Sequence, residues 1–314
     1  MAARQEPVTN MPRTPRRRAT TSTQTTTCFV YLVIFVSFVA SACVSVVAAP
    51  PAAKRIVSLV PALTEMLFAI GAGPQVVAVS SFDDDPPEVL KLPRVGALLD
   101  PDTERILALR PDLVLIYGSQ SELQQQLESA GIRVFVYRHG GLADVAPAFR
   151  ALGELTGRTA AAARTWAAIE TRLAAVRTRV AGRPRPKTLL VMGREPRSLR
   201  NLDASGGIGF LHDLLELAGA NNLFVDVKRQ AVRASSEMLL TRAPEVIIDL
   251  FYSRELSAPE LQQERAPWST LASIPAVRKG RIHLLVGDYL VVPGPRIADA
   301  AEAFAKAIHP EAYP

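Results

Sequence analysis

Two glutamates, Glu104 and Glu237, each open nearly the same stretch of sequence. In both copies a short apolar segment that is predicted to be helical follows the glutamate, and a proline comes seven residues after it. Proline ends the helix because it has no N–H to donate and forces its predecessor out of the α region. An acidic residue and an aliphatic run typical of a buried strand come next. A carboxylate at such a helix start is stabilised by the helix dipole, and a pair of them can also bind a partner with two cationic patches.

The spacing of the two copies indicates a duplicated lobe. They lie 133 residues apart, whereas solenoid repeats recur about every 20–50 residues. Two similar lobes, each with one glutamate at the same place on its surface, are therefore the simplest explanation of the pattern.

Aromatic and polar side chains follow several of the predicted strands. In an α/β lobe, the loops at the carboxyl ends of the strands line the crevice where ligands bind. Aromatic rings in such loops could cover the flat face of a large macrocycle, and tyrosine adds a polar group. The residues that we expect to line a ligand site are Pro61, Phe82, Asp83, Leu98, Tyr117, His139, Asp288 and Tyr289.

The sequence offers little for other kinds of chemistry. Of its four histidines only His139 lies in a loop after a strand, where it is either a ligand to the metal of a bound chelate or a solvated side chain. Residues 205–209 lack the lysine of a phosphate-binding loop and the glycine spacing of a dinucleotide fold. No Gly-x-Ser-x-Gly motif is present. We therefore predict no catalytic residue and no metal site, with a metal-ion binder and a bilobed enzyme kept as lesser alternatives.

The first 49 residues are typical of an export signal. Residues 1–27 carry five arginines and one glutamate, and residues 28–47 form an unbroken run of apolar and small residues. This order is that of a secretory signal, although a run of about 20 residues is also long enough to span a bilayer. Three outcomes stay open: cleavage after Ala49, lipidation of Cys43, or retention as a membrane anchor. In each case we expect a periplasmic or other extracytoplasmic protein.

Both cysteines of the chain, Cys28 and Cys43, lie in this leader. The exported part therefore has no disulfide and no thiolate, which excludes zinc fingers, iron–sulfur clusters and cysteine catalysis. The five arginines and one glutamate of the leader also supply +4 of the formal net charge of +6. The remainder is nearly neutral, so the charge gives no argument for nucleic-acid binding.

The exported part is organised as two α/β segments on either side of one long helix. Strands alternate with helices in both segments, which predicts Rossmann-like lobes with parallel sheets. The middle segment is rich in alanine and arginine, which are strong helix formers, and its apolar residues recur at three- and four-residue steps. The predicted division is 1–49 leader, 50–157 first lobe, 158–185 connecting helix, and 186–314 second lobe.

Four stretches carry a resemblance to a known family: residues 55–65, 80–87, 104–114 and 210–219. They resemble the substrate-binding proteins of ABC importers for cobalamin, haem and ferric siderophores, in the class whose two lobes are joined by a helical backbone. The cobalamin-binding members are the most similar. The resemblance covers residues 54–309, essentially all of the exported part.

This resemblance implies two α/β lobes joined by one stiff helix, with the ligand in the cleft between them and only a small opening motion. It implies a monomer without enzymatic activity or a cofactor of its own, which delivers its ligand to a permease dimer with ATPase subunits. In the cobalamin-binding members a glutamate on each lobe docks onto arginines of the permease. Those two positions match Glu104 and Glu237.

The resemblance also implies cobalamin or a related corrinoid as the ligand. Cobalamin-binding members have a tryptophan where this chain has Leu98, and a basic residue where it has Val292. Haem and ferric siderophores therefore stay open as alternatives. The positions that do match the cobalamin-binding pattern, three aromatic residues and one aspartate, are Phe82, Tyr117, Tyr289 and Asp288.

Overall fold

The structure, a computed structural model, describes residues 51–138, 140–252 and 256–313. The predicted leader, with Cys43, and the predicted ligand contact His139 lie outside the described residues. Within the described ranges, no helix is both long and apolar enough to cross a membrane.

The first lobe is a four-stranded parallel sheet with helices between its strands. The strand order is β2-β1-β3-β4, and every neighbouring pair runs parallel. Helices cover the sheet, so most side chains of its strands have no contact with solvent. The strands are therefore short runs of aliphatic residues. The elements are β1 (Ile56–Ser58), α1 (Pro61–Ala69), β2 (Val76–Val79), α2 (Thr103–Ala108), β3 (Leu113–Tyr117), α3 (Ser121–Ser129), β4 (Arg133–Tyr137) and α4 (Val145–Thr156).

The long connecting helix, α5, runs from Thr159 to Val180, within the segment 158–185 that is predicted to connect the lobes. Gly157 separates it from α4 by adopting a left-handed conformation with φ 71°, which glycine reaches without a steric penalty. The predicted apolar stripe of the helix is buried, and its members are Ile169, Leu173, Val176 and Val180.

The second lobe contains a mixed sheet with the strand order β10-β9-β5-β6-β8. Strands β10, β9 and β5 run parallel, while β6 and β8 run antiparallel to their neighbours. The two-lobe α/β prediction is confirmed, but this edge of the sheet differs from the predicted all-parallel form. Only residues 194–201 separate β5 from β6, and a parallel pair needs a crossover of about a dozen residues or more. The elements are β5 (Lys187–Gly193), β6 (Leu202–Ser205), α6 (Phe210–Leu217), β7 (Asn221–Asn222), β8 (Ala231–Ala234), α7 (Ser236–Arg242), β9 (Val246–Phe251), α8 (Ala258–Arg265), α9 (Pro275–Arg278), β10 (Ile282–Val286) and α10 (Ile297–Ile308).

One apolar core runs through both lobes along α5. Leu113 and Leu115 of the first sheet and Ile248 and Leu250 of the second belong to the same buried cluster as the apolar stripe of that helix. Each lobe has a further cluster on the other face of its sheet. Because interiors are close-packed, a core shared in this way resists bending between the lobes.

The duplicated sequence pattern is a duplicated structure. Glu104 is the second residue of α2 and Glu237 is the second residue of α7. Each helix is capped by the side chain two residues before that glutamate: Asp102 accepts a hydrogen bond from the N–H of Arg105 at 2.9 Å, and Ser235 accepts one from the N–H of Met238 at 3.2 Å. Such caps satisfy N–H groups that the helix leaves unbonded.

The acidic residue after each repeated proline joins two strands in its lobe. Asp112 accepts hydrogen bonds from the N–H groups of Lys54 and Arg55, and Glu245 accepts one from the N–H of Lys187 at 2.9 Å. In both lobes the backbone N–H of the same acidic residue donates back to the segment at the start of the first strand. The repeat therefore fixes the start of the central strand pair in each lobe.

Candidate ligand-binding site

The carboxyl ends of β1, β2 and β3 lie at one edge of the first sheet, and the predicted contacts of this lobe follow them directly. Pro61 is the first residue of α1, where its missing N–H costs no hydrogen bond. Phe82 lies in the loop after β2 and is 73% exposed, although aromatic side chains are usually largely buried. This exposed ring is available to a ligand.

Asp83, also predicted to line the site, is buried beneath that loop. Its Oδ2 accepts hydrogen bonds from the N–H of Ser80 at 2.8 Å and from the Ser80 hydroxyl at 2.6 Å. Burial raises the pKa of this carboxyl group against the lowering effect of the Ser80 hydrogen bonds. The side chain therefore shapes the loop that carries Phe82, and in this conformation it does not reach the solvent.

The side-chain amide of Gln120 connects Tyr117 and Leu98, and the sequence analysis did not predict this contact. The Gln120 side chain accepts a hydrogen bond from the N–H of Tyr117 at 3.0 Å and donates one to the carbonyl of Leu98 at 3.1 Å. The Tyr117 ring makes an edge contact with Tyr137, with centroids 6.3 Å apart. Burial raises the pKa of Tyr117 to about 12, so its hydroxyl remains protonated at neutral pH and can donate a hydrogen bond.

The predicted contacts of the second lobe, Asp288 and Tyr289, lie in a single 3₁₀ turn after β10. Tyr289 is half-buried. Both oxygens of Asp288 accept hydrogen bonds from Arg296, at 3.0 and 2.7 Å. These hydrogen bonds lower the pKa of Asp288, so it is ionised at neutral pH and held in one orientation.

Arg296 also binds the first lobe, through Glu65. It donates to the two oxygens of Glu65 at 3.0 and 2.6 Å, and Glu65 is only 4% exposed. A second carboxylate of the first lobe, Asp85, lies 3.5 Å from Arg296 Nε. Carboxylates of both lobes therefore surround one guanidinium. This contact places Asp288 and Tyr289 opposite the first lobe. Sequence reasoning missed this pair because the partners are 231 residues apart.

Tyr252 is a further candidate contact that the sequence analysis missed. It directly follows the end of β9, which is the strand of the second repeat copy, and it is 44% exposed. It lines a cavity of about 260 Å³ together with Gly193, Arg194, Asp249 and Phe251, among others. The signal in the sequence was an aromatic residue at a strand end, as for Tyr117.

The comparison with known proteins decides the family. The periplasmic binding protein family model matches residues 56–289. The chain belongs to the periplasmic binding protein family. A vitamin B12-binding protein of Salmonella paratyphi A is 32% identical over 259 residues, which cover 82% of this chain and 91% of that relative.

Solved structures of the family have the same fold. A periplasmic vitamin B12 binding protein of Vibrio cholerae gives a TM-score of 0.72 at 25% identity and covers 84% of this chain and 100% of its own. A periplasmic heme binding protein of Pseudomonas aeruginosa gives 0.71 at 27% identity, with 82% and 93% covered. The chain is therefore a binding protein of the cobalamin, haem and siderophore type, which works in transport and is not an enzyme.

Periplasmic binding proteins of this type act outside the cytoplasm with an ABC importer permease and ATPase. Glu104 and Glu237 are both exposed. Neither carboxylate makes an ion pair with another residue in the part of the chain that the structure describes. Both are therefore accessible to a partner protein.

The remaining histidines have structural surroundings. His309 is buried, with its Nε2 3.1 Å from the carbonyl oxygen of Gly219, and the His212 ring lies 3.2 Å from the Asn222 amide. Burial lowers the pKa of His283 in β10. No group of three or more His, Cys, Asp or Glu side chains among the described residues is placed to hold a metal ion.

Two larger cavities lie away from the predicted contacts. One of about 750 Å³ lies along α5 and α6, and one of about 770 Å³ lies beside Pro51 and Arg110. Neither is lined by a predicted ligand contact. A smaller cavity of about 310 Å³ adjoins Leu98 and Gln120.

Proposed function

We propose that the protein captures cobalamin or a related corrinoid and delivers it to the permease of an ABC importer. The observation that carries this proposal is that tyrosines stand at strand ends of opposite lobes: Tyr117 is the last residue of β3, and Tyr289 lies in the turn after β10. Large apolar macrocycles with polar edges suit such aromatic walls, since each ring covers apolar area and each hydroxyl supplies a hydrogen bond. The vitamin B12-binding relatives support the same ligand.

Haem or a ferric siderophore is the second candidate within the same class. Leu98 stands where cobalamin-binding relatives are expected to have a tryptophan, and Val292 stands where they are expected to have a basic residue. A heme binding protein is also among the structural neighbours. The deciding experiment is to purify the protein after parallel incubation with cobalamin, haem and ferric siderophores and to record its absorption spectrum. A bound haem band, without a corrinoid band, would replace the first proposal by the second.

Replacing Tyr117 and Tyr289 together by Ala should weaken cyanocobalamin binding at least several-fold. Each aromatic contact contributes about 0.5–1.5 kcal/mol beyond the burial of its area. Calorimetric titration measures the dissociation constant. The matched control is Tyr313→Ala, because Tyr313 packs against Arg179 of α5 and Lys306 of α10 and is not a predicted ligand contact. Equal dissociation constants for the double variant and the wild type would mean that the ligand binds at another site.

The leader sets how the protein is held outside the cytoplasm. We propose export, with cleavage after Ala49, lipidation of Cys43 or retention of the apolar run as the three routes. Replacing Cys43 by Ser should leave processing and membrane attachment unchanged if cleavage follows Ala49, and should abolish both if Cys43 is acylated. The mass of the mature N-terminus and membrane fractionation measure the outcome. A mature chain that still contains residues 1–49 would exclude cleavage and lipidation, and retention as a membrane anchor would be the remaining route.

The permease contact is the remaining part of the proposal. Glu104 and Glu237 stand at equivalent places on the two lobes, and α5 fixes their separation because its core is shared by both lobes. Two exposed carboxylates at a fixed distance suit a permease dimer with two matching cationic patches.

His139 is also a proposed ligand contact. Replacing His139 by Ala should change the absorption spectrum of a bound metal chelate.

A further inference from the structure

The guanidinium of Arg296 is held by carboxylates of both lobes at once. Glu65 belongs to α1 of the first lobe, and Asp288 follows β10 of the second. Arg296 Nε and Nη2 donate to Glu65, while Nη1 and Nη2 donate to Asp288. A planar guanidinium that makes two forked contacts fixes both carboxylates in direction as well as in distance.

The backbone beside this contact is also closely packed across the lobes. A Cβ atom added to Gly294 would lie 3.1 Å from Glu65 Oε2 and 3.6 Å from the carbonyl oxygen of Ala62. Gly294 therefore lets the loop before α10 lie directly against α1. A Cβ atom there would press on the Glu65 carboxylate, which would have to move by a few tenths of an ångström.

Burial separates this ion pair from the others that involve α10. The Glu65 side chain is 4% exposed and that of Arg296 is 25% exposed. By contrast, Arg172 pairs with Asp299 and Glu302 through side chains that are one-third to one-half exposed. Removing one partner of a buried pair leaves an uncompensated charge in a poorly solvated place, whereas removing one partner of an exposed pair leaves it in water.

We propose that Arg296 adds, to the shared core along α5, a second contact that limits the spacing of the two lobes across the ligand cleft, and that it holds the Asp288 carboxylate in one orientation. The spacing depends on the forked contact with Glu65, and the orientation depends on the forked contact with Asp288. The consequence for ligand affinity rests on the proposed function, while the lobe spacing does not. Arg296 is thus a positioning residue, because it acts on the ligand through the lobe that it holds.

The lobe spacing can be measured directly because both cysteines lie in the leader. With Cys28 and Cys43 changed to Ser, single cysteines are introduced at Leu99 in the first lobe and Val225 in the second, which are 93% and 47% exposed. Spin labels at these two sites report the distance distribution by electron paramagnetic resonance. We expect one narrow distance in the wild-type background.

Arg296→Met should broaden this distribution or shift it to longer distances. If only about a tenth of the molecules then have the spacing that fits the ligand, cyanocobalamin binding weakens about tenfold, since the apparent affinity scales with the competent fraction. Arg296→Lys keeps the charge but loses the fork, so its distribution should lie between those of the wild type and Arg296→Met. Arg172→Met is the matched control and should leave both measurements unchanged.

Two further variants separate the two roles of Arg296. Glu65→Gln keeps the shape of the side chain and leaves Asp288 and Asp85 facing the guanidinium, and it should still broaden the distribution. Asp288→Asn should weaken cyanocobalamin binding with the lobe spacing unchanged, because the contact between Arg296 and Glu65 remains.

A wild-type distribution in both Arg296→Met and Glu65→Gln would overturn the proposal. If Arg296→Met shows no cooperative thermal transition, Glu65→Gln decides alone. The distance measurement needs no ligand. A wild-type protein that fails to bind cyanocobalamin would therefore count against the proposed ligand, and the role of Arg296 in lobe spacing would still be judged by the distances.

Discussion

Replacing Arg194 by Met should lower the free energy of unfolding by about 3–5 kcal/mol, which is the usual cost of breaking a buried ion pair by removing one partner. The Arg194 side chain is only 2% exposed, and it faces the equally buried carboxylates of Asp249 and Glu264. Arg194 Nε donates to Asp249 at 2.9 Å and Nη1 donates to Glu264 at 3.0 Å. Methionine fills similar volume but supplies no charge and no donor to either carboxylate.

The loss should depend on pH in a defined direction. Burial already raises the pKa of Asp249, and the charge and hydrogen bonds of Arg194 oppose this effect. Without Arg194 the pKa rises further, so the folded variant binds more protons than the unfolded chain between the ordinary Asp pKa of about 4 and the raised value. Stability then falls as pH rises through that window, and the variant should be more stable at pH 5 than at pH 8.

Urea unfolding at both pH values measures this prediction, with the slope of the transition checked for equality with the wild type. The matched control is Arg233→Met in the same lobe. Arg233 pairs with Asp203 at 3.0 Å, but the two side chains are 60% and 41% exposed, so its loss should cost no more than about 1 kcal/mol. A cost for Arg194→Met as small as that of the control would show that the buried cluster contributes little to stability.

The sequence predicts most of the architecture because its signals are local. The helix-forming composition, the apolar stripe and Gly157 predict the long helix α5, which occupies residues 159–180 of the predicted segment 158–185. The two lobes follow from a repeated pattern in which the cap and the proline each act within one helix. Such interactions involve few residues and short separations, so they are visible without knowledge of the fold.

The features that the sequence did not predict are non-local or weakly patterned. Strands β6 and β8 have four residues each, and each contains a charged residue, Asp203 in β6 and Arg233 in β8, so no apolar run marks them. Whether Asp83 points into the loop or outward depends on the turn geometry at Ser80. The contact between Glu65 and Arg296 exists only because the two lobes meet.

Replacing both Glu104 and Glu237 by Ala should leave ligand affinity in solution near wild type, while uptake through the partner permease falls sharply. Both side chains are exposed, so their removal disturbs no packing. Each contact alone, partly exposed and screened by salt, is worth about 0.2–1 kcal/mol. Once one lobe is docked, the second contact forms at the effective concentration set by the first, so the pair binds more tightly than two independent contacts would. The caps from Asp102 and Ser235 remain in the double variant, so both helices should keep their first turn.

Uptake of labelled ligand by cells and binding of the purified protein to its permease measure the two sides of this prediction. The control is Glu128→Ala with Glu154→Ala, which removes two exposed carboxylates from outside the repeat and makes the same change in net charge. Replacing Glu104 and Glu237 by Arg should reduce uptake further than Ala does, because like charges then meet at both contacts. Added salt screens this repulsion, so it should narrow the difference in uptake between the Arg and Ala variants. Normal uptake by the double Ala variant, or an equal loss in the control, would mean that general surface charge rather than the duplicated pair brings the two proteins together.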